Sequence, residues 1–213
     1  MTVHDRANYA VVIVRFADDI VVGFQHRAEA ERFGRDLRER LAEFALELHP
    51  DKTRLIEFGR FAAGNRRERG LGKPETFDFL GFTHICGATR SGKFLLVRHT
   101  VRKRIRAKLR EVKTELMRRR HLPVPVQGQW LASVVQGHAN YYAVPTNIFA
   151  VAAFQVEAVR LWHRALTRRS QKGRVPWTRM ARYRDRWIPS PRILHPWPEA
   201  RFDVRTRGRS PVR

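Results

Sequence analysis

The chain has 213 residues, 43% of them hydrophobic, and its 43 Lys and Arg side chains against 20 Asp and Glu give a formal net charge of +23. This composition supports one or two folded domains and excludes a simple disordered basic arm, while the large positive charge attracts polyanions such as nucleic acids. A single cysteine, Cys86, excludes an internal disulfide, and no apolar run reaches the roughly 18–20 residues of a membrane span, so we expect a cytoplasmic protein with no membrane partner.

The charge is unevenly distributed along the chain. Residues 1–58 carry 9 basic and 11 acidic side chains, a net of −2, whereas residues 59–213 carry 34 and 9, a net of +25. A solvated face or a ribosomal-type tail without chemistry would also produce basic runs. Because the excess extends through the whole of residues 59–213, we favour nucleic-acid binding by this part of the chain.

Two apolar stretches near the N-terminus flank a pair of adjacent carboxylates. Val11–Phe16 and Ile20–Phe24 are rich in β-branched and aromatic residues, and they predict a hairpin with Ala17, Asp18 and Asp19 at its turn. Asp is common in turns, so the pair alone indicates little. A turn without Gly, Asn or Pro that places two like charges between apolar strands indicates a functional role, and in a basic chain it suggests metal-assisted chemistry on a nucleic acid.

A helix and a strand are predicted after the hairpin. Phe33, Leu37, Leu41 and other apolar residues recur at steps of three or four over His26–Leu48, which predicts an amphipathic helix that packs on the hairpin. Pro50 disfavours helical geometry at the residue before it and therefore ends this helix. The segment Lys52–Phe58 then predicts a strand.

The next forty residues predict a loop and a second pair of strands. Glycines and a proline among basic residues predict a flexible basic loop over residues 59–75. Phe77–Ile85 and Phe94–Val97 predict two strands around a turn at residues 87–92.

The remaining pattern is helical. Apolar residues at three- or four-residue steps from Val101 to Leu116 predict one helix with a cationic outer surface. Two prolines at 123 and 125 are expected to break the chain. Further helices are predicted over Trp130–Tyr142, Asn147–Arg169 and Trp177–Trp187, and the last dozen or so residues predict no stable structure.

Several short motifs resemble known protein families. Phe-Ala-Asp-Asp at 16–19, Leu-His-Pro-Asp-Lys-Thr-Arg at 48–54 and Phe-Asp-Phe-Leu-Gly-Phe at 77–82 resemble, in order, signature segments of reverse transcriptases. Three later segments resemble the maturase-specific region of bacterial group II intron proteins. They are Gly-His-Ala-Asn-Tyr-Tyr at 137–142, Arg-Arg-Ser-Gln-Lys-Gly at 168–173 and Pro-Arg-Ile-Leu-His-Pro at 191–196.

This resemblance implies a domain organisation and a function. It implies an α+β fold: a partial reverse-transcriptase palm, with an antiparallel sheet and a packed helix, at residues 1–98, a helical thumb and maturase-specific region at 99–187, and a basic, Pro-rich tail at 188–213. In the family, fingers and a further metal-binding Asp precede the Asp-Asp hairpin. The chain therefore resembles the C-terminal part of an RNA-directed DNA polymerase and maturase, and we expect it to be inactive alone unless an N-terminal reverse-transcriptase fragment or a second copy completes the site.

The resemblance also assigns roles to individual residues. Asp18 and Asp19 are the candidate catalytic residues and Mg²⁺ ligands for nucleotidyl transfer. Lys52 matches a basic residue near the triphosphate, although a solvated surface lysine explains it equally well. Gly81 would let a sugar-phosphate approach the backbone. The other candidate nucleic-acid-binding residues are Arg54, Arg102, Arg106, Arg168, Arg169, Lys172 and Arg174.

The implied partners are group II intron RNA and an RNA template with a DNA primer. Structured RNA is recognised mostly through shape and phosphates, so we expect strongly salt-dependent binding. Two other functions stay open. One is a non-enzymatic RNA-binding splicing cofactor whose aspartates are vestigial, and the other is a decayed mobile-element fragment.

Overall fold

The computed structural model describes residues 11–169, 174–197 and residue 200. The chain divides into two compact units, residues 1–58 and residues 59–213, at the position where its net charge changes sign. None of the helices in the described ranges is long and apolar enough to cross a membrane. The boundaries at residues 98 and 187 were predicted from the family resemblance, whereas the division at residue 58 reflects contacts within the structure. The family-based boundaries stay predictions.

The first unit contains a hairpin and one helix. Strand β1 (Val12–Phe16) pairs antiparallel with β2 (Asp19–Gly23), and helix α1 (Arg27–Ala42) follows. The Phe24 ring, just after β2, lies 5.2 Å from the Phe33 ring of α1, measured between ring centroids. The predicted hairpin and the contact of a helix with it are therefore confirmed.

Two predictions for the rest of the first unit are wrong. Helix α1 ends at Ala42 instead of Leu48, because Ala45 has a φ of +54° and such left-handed backbone cannot continue a right-handed helix. Lys52–Phe58 contains a turn followed by irregular backbone instead of a strand. A strand needs a partner that completes its hydrogen bonds, and no described segment pairs with these residues.

The second unit begins with a short helix and a three-stranded sheet. Helix α2 (Ala62–Glu68) lies within the segment that was predicted to be a loop. Strands β3 (Phe77–Phe79), β4 (Phe82–Ala88) and β5 (Phe94–Thr100) then form an antiparallel sheet in that order. The single strand predicted over residues 77–85 is thus two strands, joined by a tight turn at residues 80–81.

Four helices complete the described part of the second unit. They are α3 (Arg102–Arg118), α4 (Val124–Tyr142), α5 (Ile148–Thr167) and α6 (Trp177–Trp187). The predictions for α3, α5 and α6 are confirmed. Helix α4 begins at Val124 instead of Trp130, because a proline in the first turn of a helix, here Pro125, removes no intrahelical hydrogen bond. The residues predicted to lack structure at the C-terminus lie outside the described ranges.

The hydrophobic core of the second unit lies among these four helices. Its largest fully buried apolar side chains are Leu116 of α3, Leu131 of α4, Phe154 and Trp162 of α5, and Met180 of α6. Burial of apolar area at about 25 cal/mol per Å² is the main stabilising contribution in such a core. The α+β class and the order of a small antiparallel sheet followed by helices are confirmed.

Two buried amide side chains satisfy polar groups inside this unit. Gln127 accepts a hydrogen bond from the Trp162 indole (3.1 Å) and donates to the carbonyl oxygen of Leu122 (3.0 Å). Asn147 accepts from the backbone N of Thr100 (3.0 Å) and donates to the Thr100 hydroxyl (2.8 Å) and to the carbonyl oxygen of Tyr142 (2.8 Å). Asn147 therefore joins the last strand of the sheet to the connection between α4 and α5.

Candidate functional site

The turn of the first hairpin presents the predicted carboxylate pair. Because Phe16 is paired with Asp19, the turn consists of Ala17 and Asp18 only, and Asp19 is the first residue of β2 instead of a turn residue. Ala17 has a φ of +52°, which is uncommon for a residue other than glycine. The Arg15 Nε donates a hydrogen bond to the Ala17 carbonyl oxygen (3.0 Å) and thereby helps to fix the turn.

The two aspartates are free to bind a cation. Both are exposed, and within the described ranges neither takes part in an ion pair or a side-chain hydrogen bond. Carboxylate oxygens are the donors that Mg²⁺ prefers, and Mg²⁺ commonly uses one or two protein carboxylates together with substrate phosphates. The described residues contain no group of three or more His, Cys, Asp or Glu that could hold a metal. The carboxylate oxygens of Asp18 and Asp19 are therefore the kind of ligand that fits Mg²⁺.

The two other candidate residues of the first unit lie in its irregular C-terminal part. Lys52 is exposed in a turn, where its backbone N donates to the His49 carbonyl oxygen (3.2 Å). Within the described residues no hydrogen bond or ion pair joins Lys52 to Asp18 or Asp19. Arg54 is exposed shortly after it. Their predicted roles at a triphosphate and on nucleic acid stay predictions.

The turn between β3 and β4 contains Gly81 and is held by two tyrosines of α4. Leu80 and Gly81 have φ values of +49° and +79°, and a Cβ at Gly81 would lie 3.0 Å from the Tyr142 hydroxyl oxygen. The Tyr141 hydroxyl donates a hydrogen bond to the Leu80 carbonyl oxygen (2.8 Å). Backbone conformation and the approach of Tyr142 explain the glycine by themselves, so its contact with a sugar-phosphate stays a prediction.

Four cations form a row along α3, which we call the α3 stripe. Its members follow one another at steps of four, four and three residues, so they share one face of the helix, and the row is about 16 Å long at 1.5 Å per residue. All four are exposed, and the ion pairs found on α3 use other basic residues. The α3 stripe consists of Arg102, Arg106, Arg110 and Lys113. The sequence-based site included the first two and missed the others, although the helical spacing was visible.

The candidate residues around α6 differ in their environments. The Arg169 guanidinium donates hydrogen bonds to the carbonyl oxygens of Arg120 and Leu122, just after α3, so it has a structural role besides any contact with phosphate. Arg168 is exposed at the end of α5, and Arg174 is exposed before α6. Lys172 lies outside the described residues. The phosphate contacts predicted for these four residues stay predictions.

A comparison with known protein families finds a similarity in the first part of the chain. Residues 2–84 match the family model described as reverse transcriptase (RNA-dependent DNA polymerase). The matched segment contains the hairpin with Asp18 and Asp19, helices α1 and α2, strand β3 and the beginning of β4. No curated protein matches the chain. This match and the order of elements are consistent with part of a reverse-transcriptase palm followed by helices, and they support a fragment that resembles an RNA-directed DNA polymerase.

Proposed function

We propose that the chain is part of a group II intron-encoded reverse transcriptase and maturase. In this proposal the second unit binds structured intron RNA, and the first unit contributes carboxylates to magnesium-dependent nucleotidyl transfer. The observation that supports it best is the exposed pair formed by Asp18 in the hairpin turn and Asp19 at the start of β2, inside the segment that matches the reverse transcriptase family.

The proposed chemistry gives each residue of the first unit a simple role. In nucleotidyl transfer a 3′-hydroxyl attacks the α-phosphorus of a nucleotide, and pyrophosphate leaves. Mg²⁺, when bound, supplies activation of the hydroxyl and neutralises charge on the leaving group. Asp18 and Asp19 would hold the ion through their carboxylate oxygens, and Lys52 would place a positive charge near the triphosphate. A further carboxylate would come from an N-terminal reverse-transcriptase fragment or a second copy.

The proposed RNA binding depends on the charge of the second unit. Residues 59–213 carry a net charge of +25, and the α3 stripe arranges four of the cations in a row on a helix whose apolar residues pack into the core. Cations that neutralise phosphates release condensed counterions, so the affinity falls as the salt concentration rises. The stripe needs no base contacts for this, which suits recognition of RNA by shape and phosphate.

Salt-dependent RNA binding tests the role of the stripe. Replacing Arg102, Arg106, Arg110 and Lys113 jointly by Gln should weaken binding of a structured RNA and reduce the slope of log K against log salt by roughly one unit for each lost phosphate contact. A matched control removes four exposed cations from α1, namely Arg27, Arg32, Arg38 and Arg40. If both variants change the slope equally, net charge and not the stripe determines binding.

Primer extension tests the enzymatic part. The chain is mixed with an RNA template, a DNA primer, nucleotides and Mg²⁺, with and without an N-terminal reverse-transcriptase fragment added as a separate polypeptide. We expect extension in the complemented reaction, and we expect Asp18→Asn to abolish it while RNA binding in the same samples is unchanged. Extension that is equally fast with Asp18→Asn would contradict the proposed role of the pair.

A non-enzymatic splicing cofactor is the second candidate function. It is favoured by the separation of the molecule into a unit with its own core and a charge of +25 and a unit whose described residues contain no group of three or more potential metal ligands. RNA binding without extension in every complemented reaction would favour this candidate. Absence of both activities would favour a decayed mobile-element fragment.

A further inference from the structure

Helices α3 and α4 enclose a groove that is separate from the α3 stripe. The groove has a volume of about 550 Å³. At about 100° per residue, positions 104 and 108 lie on a different side of α3 from positions 102, 106, 110 and 113. Its lining residues that bear polar or aromatic groups include Arg104, Lys108, Glu111, His138, Tyr141 and Tyr142.

One wall of the groove contains a buried histidine with an unsatisfied nitrogen. His138 is only 8% exposed, and its ring stacks on the Phe154 ring with centroids 3.8 Å apart. The His138 Nε2 is shielded from solvent and has no hydrogen-bond partner among the described residues. Burial, and to a smaller extent the charge of Lys108, lowers the pKa of His138 to about 4, so the ring is neutral at pH 7. His138 therefore contributes an uncharged and mostly buried ring to this wall of the groove.

A second wall contains an aromatic ring that is fixed in place and half exposed. The Tyr141 ring is parallel to Phe82 within 13°, with centroids 5.8 Å apart, and its hydroxyl is bonded to the Leu80 carbonyl oxygen. Tyr141 is nevertheless 51% exposed. An aromatic ring held in this way is suited to stacking of a nucleobase, which is favourable for every base because every base has a π-face.

The third component of the groove is positive charge from α3. Arg104 and Lys108 are exposed on the α3 side, and Lys108 is positioned by an ion pair with Glu111 (2.9 Å). Two cations against one carboxylate leave the lining with a net positive charge. A phosphate that enters the groove would therefore be attracted to Arg104 and Lys108.

We infer that this groove binds one unpaired nucleotide of an RNA strand. The base stacks on Tyr141, the neutral ring of His138 forms part of the wall beside it, and the phosphate lies near Arg104 and Lys108. A nucleotide in a duplex is excluded because its faces are already stacked on its neighbours, so the groove distinguishes unpaired from paired nucleotides. This inference rests on the proposed RNA binding, but it concerns a different surface from the stripe.

Two RNA hairpins that are closed by the same non-nucleotide linker, so that neither has a loop of unpaired nucleotides, and that differ by one bulged adenosine test the preference. With the full chain, Tyr141→Ala should weaken binding of the bulged hairpin by about 5- to 150-fold, the range that corresponds to loss of one base–aromatic stack, and should leave binding of the paired hairpin unchanged. Tyr141→Phe keeps the ring and should keep the preference, which controls for loss of folding. Arg106→Gln in the stripe should weaken binding of both hairpins alike. An equal effect of Tyr141→Ala on both hairpins, or no effect, would overturn the inference.

A free nucleotide tests the groove independently of RNA binding. Adenosine 5′-monophosphate is titrated into the full chain while the ring signals of the histidines are followed by NMR. The His138 signal should shift and that of His121, which is exposed beyond α3, should stay constant. An unshifted His138 signal would overturn the inference even if the chain binds RNA. If the His138 signal shifts but the chain binds neither hairpin, nucleotide binding by the groove is supported and the proposed RNA binding is contradicted.

Discussion

The two compact units of the chain differ in what holds them together. In the described part of the first unit no side chain is buried, and Val12, Ile13 and Phe16 of β1 are 60%, 62% and 63% exposed. In the second unit, by contrast, the large side chains of Phe154 and Trp162 are fully buried. The unit with a core carries the positive charge, and the apolar strands of the unit with the candidate metal ligands are exposed in the part that the structure describes. The packed core and the candidate metal ligands therefore lie in different units.

The exposed strands agree with the proposal that a second polypeptide completes the site. Apolar strand residues are stabilised when they are removed from water, and a hairpin of two strands has little stability by itself. A polypeptide that packs on β1 would bury Val12 and Ile13 and could bring a carboxylate to the turn. The same partner would thereby contribute both apolar cover for β1 and a further carboxylate.

Truncation of an aromatic side chain should reveal the largest difference between the units in the free energy of unfolding. Trp162→Ala removes a fully buried ring and the hydrogen bond to Gln127, and it should lower the free energy of unfolding by about 3–5 kcal/mol. Phe16→Ala removes a ring that is mostly exposed and should change it by less than about 0.5 kcal/mol. Urea unfolding followed by circular dichroism measures both values. A cost above about 1 kcal/mol for Phe16→Ala would break the comparison, because it would reveal packing in the first unit.

A pH titration should detect the core of the second unit through His138. Because burial lowers the pKa of His138 to about 4, the unfolded chain takes up a proton near pH 6.5 while the folded chain does not. The stability is therefore unaffected above about pH 6.5 and falls as the pH decreases toward 4, by about 1–3 kcal/mol once screening by solvent in the groove is allowed for. Thermal unfolding of the wild type and of His138→Phe across this range isolates the effect. The two curves should diverge as the pH falls, and parallel curves would contradict the assignment. His121→Phe, at an exposed position, is the control.

Replacement of two glycines of α4 by alanine should change the stability in opposite directions. A Cβ at Gly128 would lie 2.6 Å from Cγ of Trp187, so Gly128→Ala should destabilise the second unit by about 1–3 kcal/mol. A Cβ at Gly137 would meet nothing within 4 Å, so Gly137→Ala should stabilise α4 by about 0.5–1 kcal/mol. Denaturant midpoints of the two variants measure the contrast. Equal midpoints would mean that α4 and α6 do not pack as described.

The smallest expected effect on stability is that of the carboxylate pair. Asp18 and Asp19 are exposed and unpaired within the described residues, so Asp18→Asn and Asp19→Asn should each change the free energy of unfolding by less than about 0.5 kcal/mol. The same variants should abolish extension in the complemented reaction described above. A large loss of stability would show that the pair has a structural role in the first unit and would weaken its assignment to catalysis.

Local patterns were sufficient for the elements that depend on local interactions. Apolar spacing predicted α3 and α5, and two short stretches rich in β-branched and aromatic residues predicted the first hairpin. The predictions were wrong where the structure depends on residues distant in the sequence or on an unusual backbone conformation. Lys52–Phe58 has strand-like residues but no described strand pairs with it, and Leu80 has a left-handed conformation that its side chain does not indicate. The start of α4 was missed because Pro125 is tolerated in a first helical turn.

The candidate site was predictable to a similar extent. The exposed position of Asp18 followed from the hairpin pattern, and the stripe followed in part from the basic composition of α3. The bonds of Arg169 to the carbonyl oxygens of Arg120 and Leu122 could not be predicted, because they join residues almost fifty positions apart in the sequence. The groove between α3 and α4 was also missed, since His138 and Lys108 become neighbours only when the two helices pack.

The hydrogen bonds of Asn147 have a mechanical consequence. They fasten β5 to the connection between α4 and α5, while the Tyr141 hydroxyl fastens α4 to the turn at residues 80–81. Both attachments restrain movement of the turn relative to the helices. If the second unit binds RNA along α3 as proposed, a displacement of these helices would carry the tip of the β3–β4 hairpin with it.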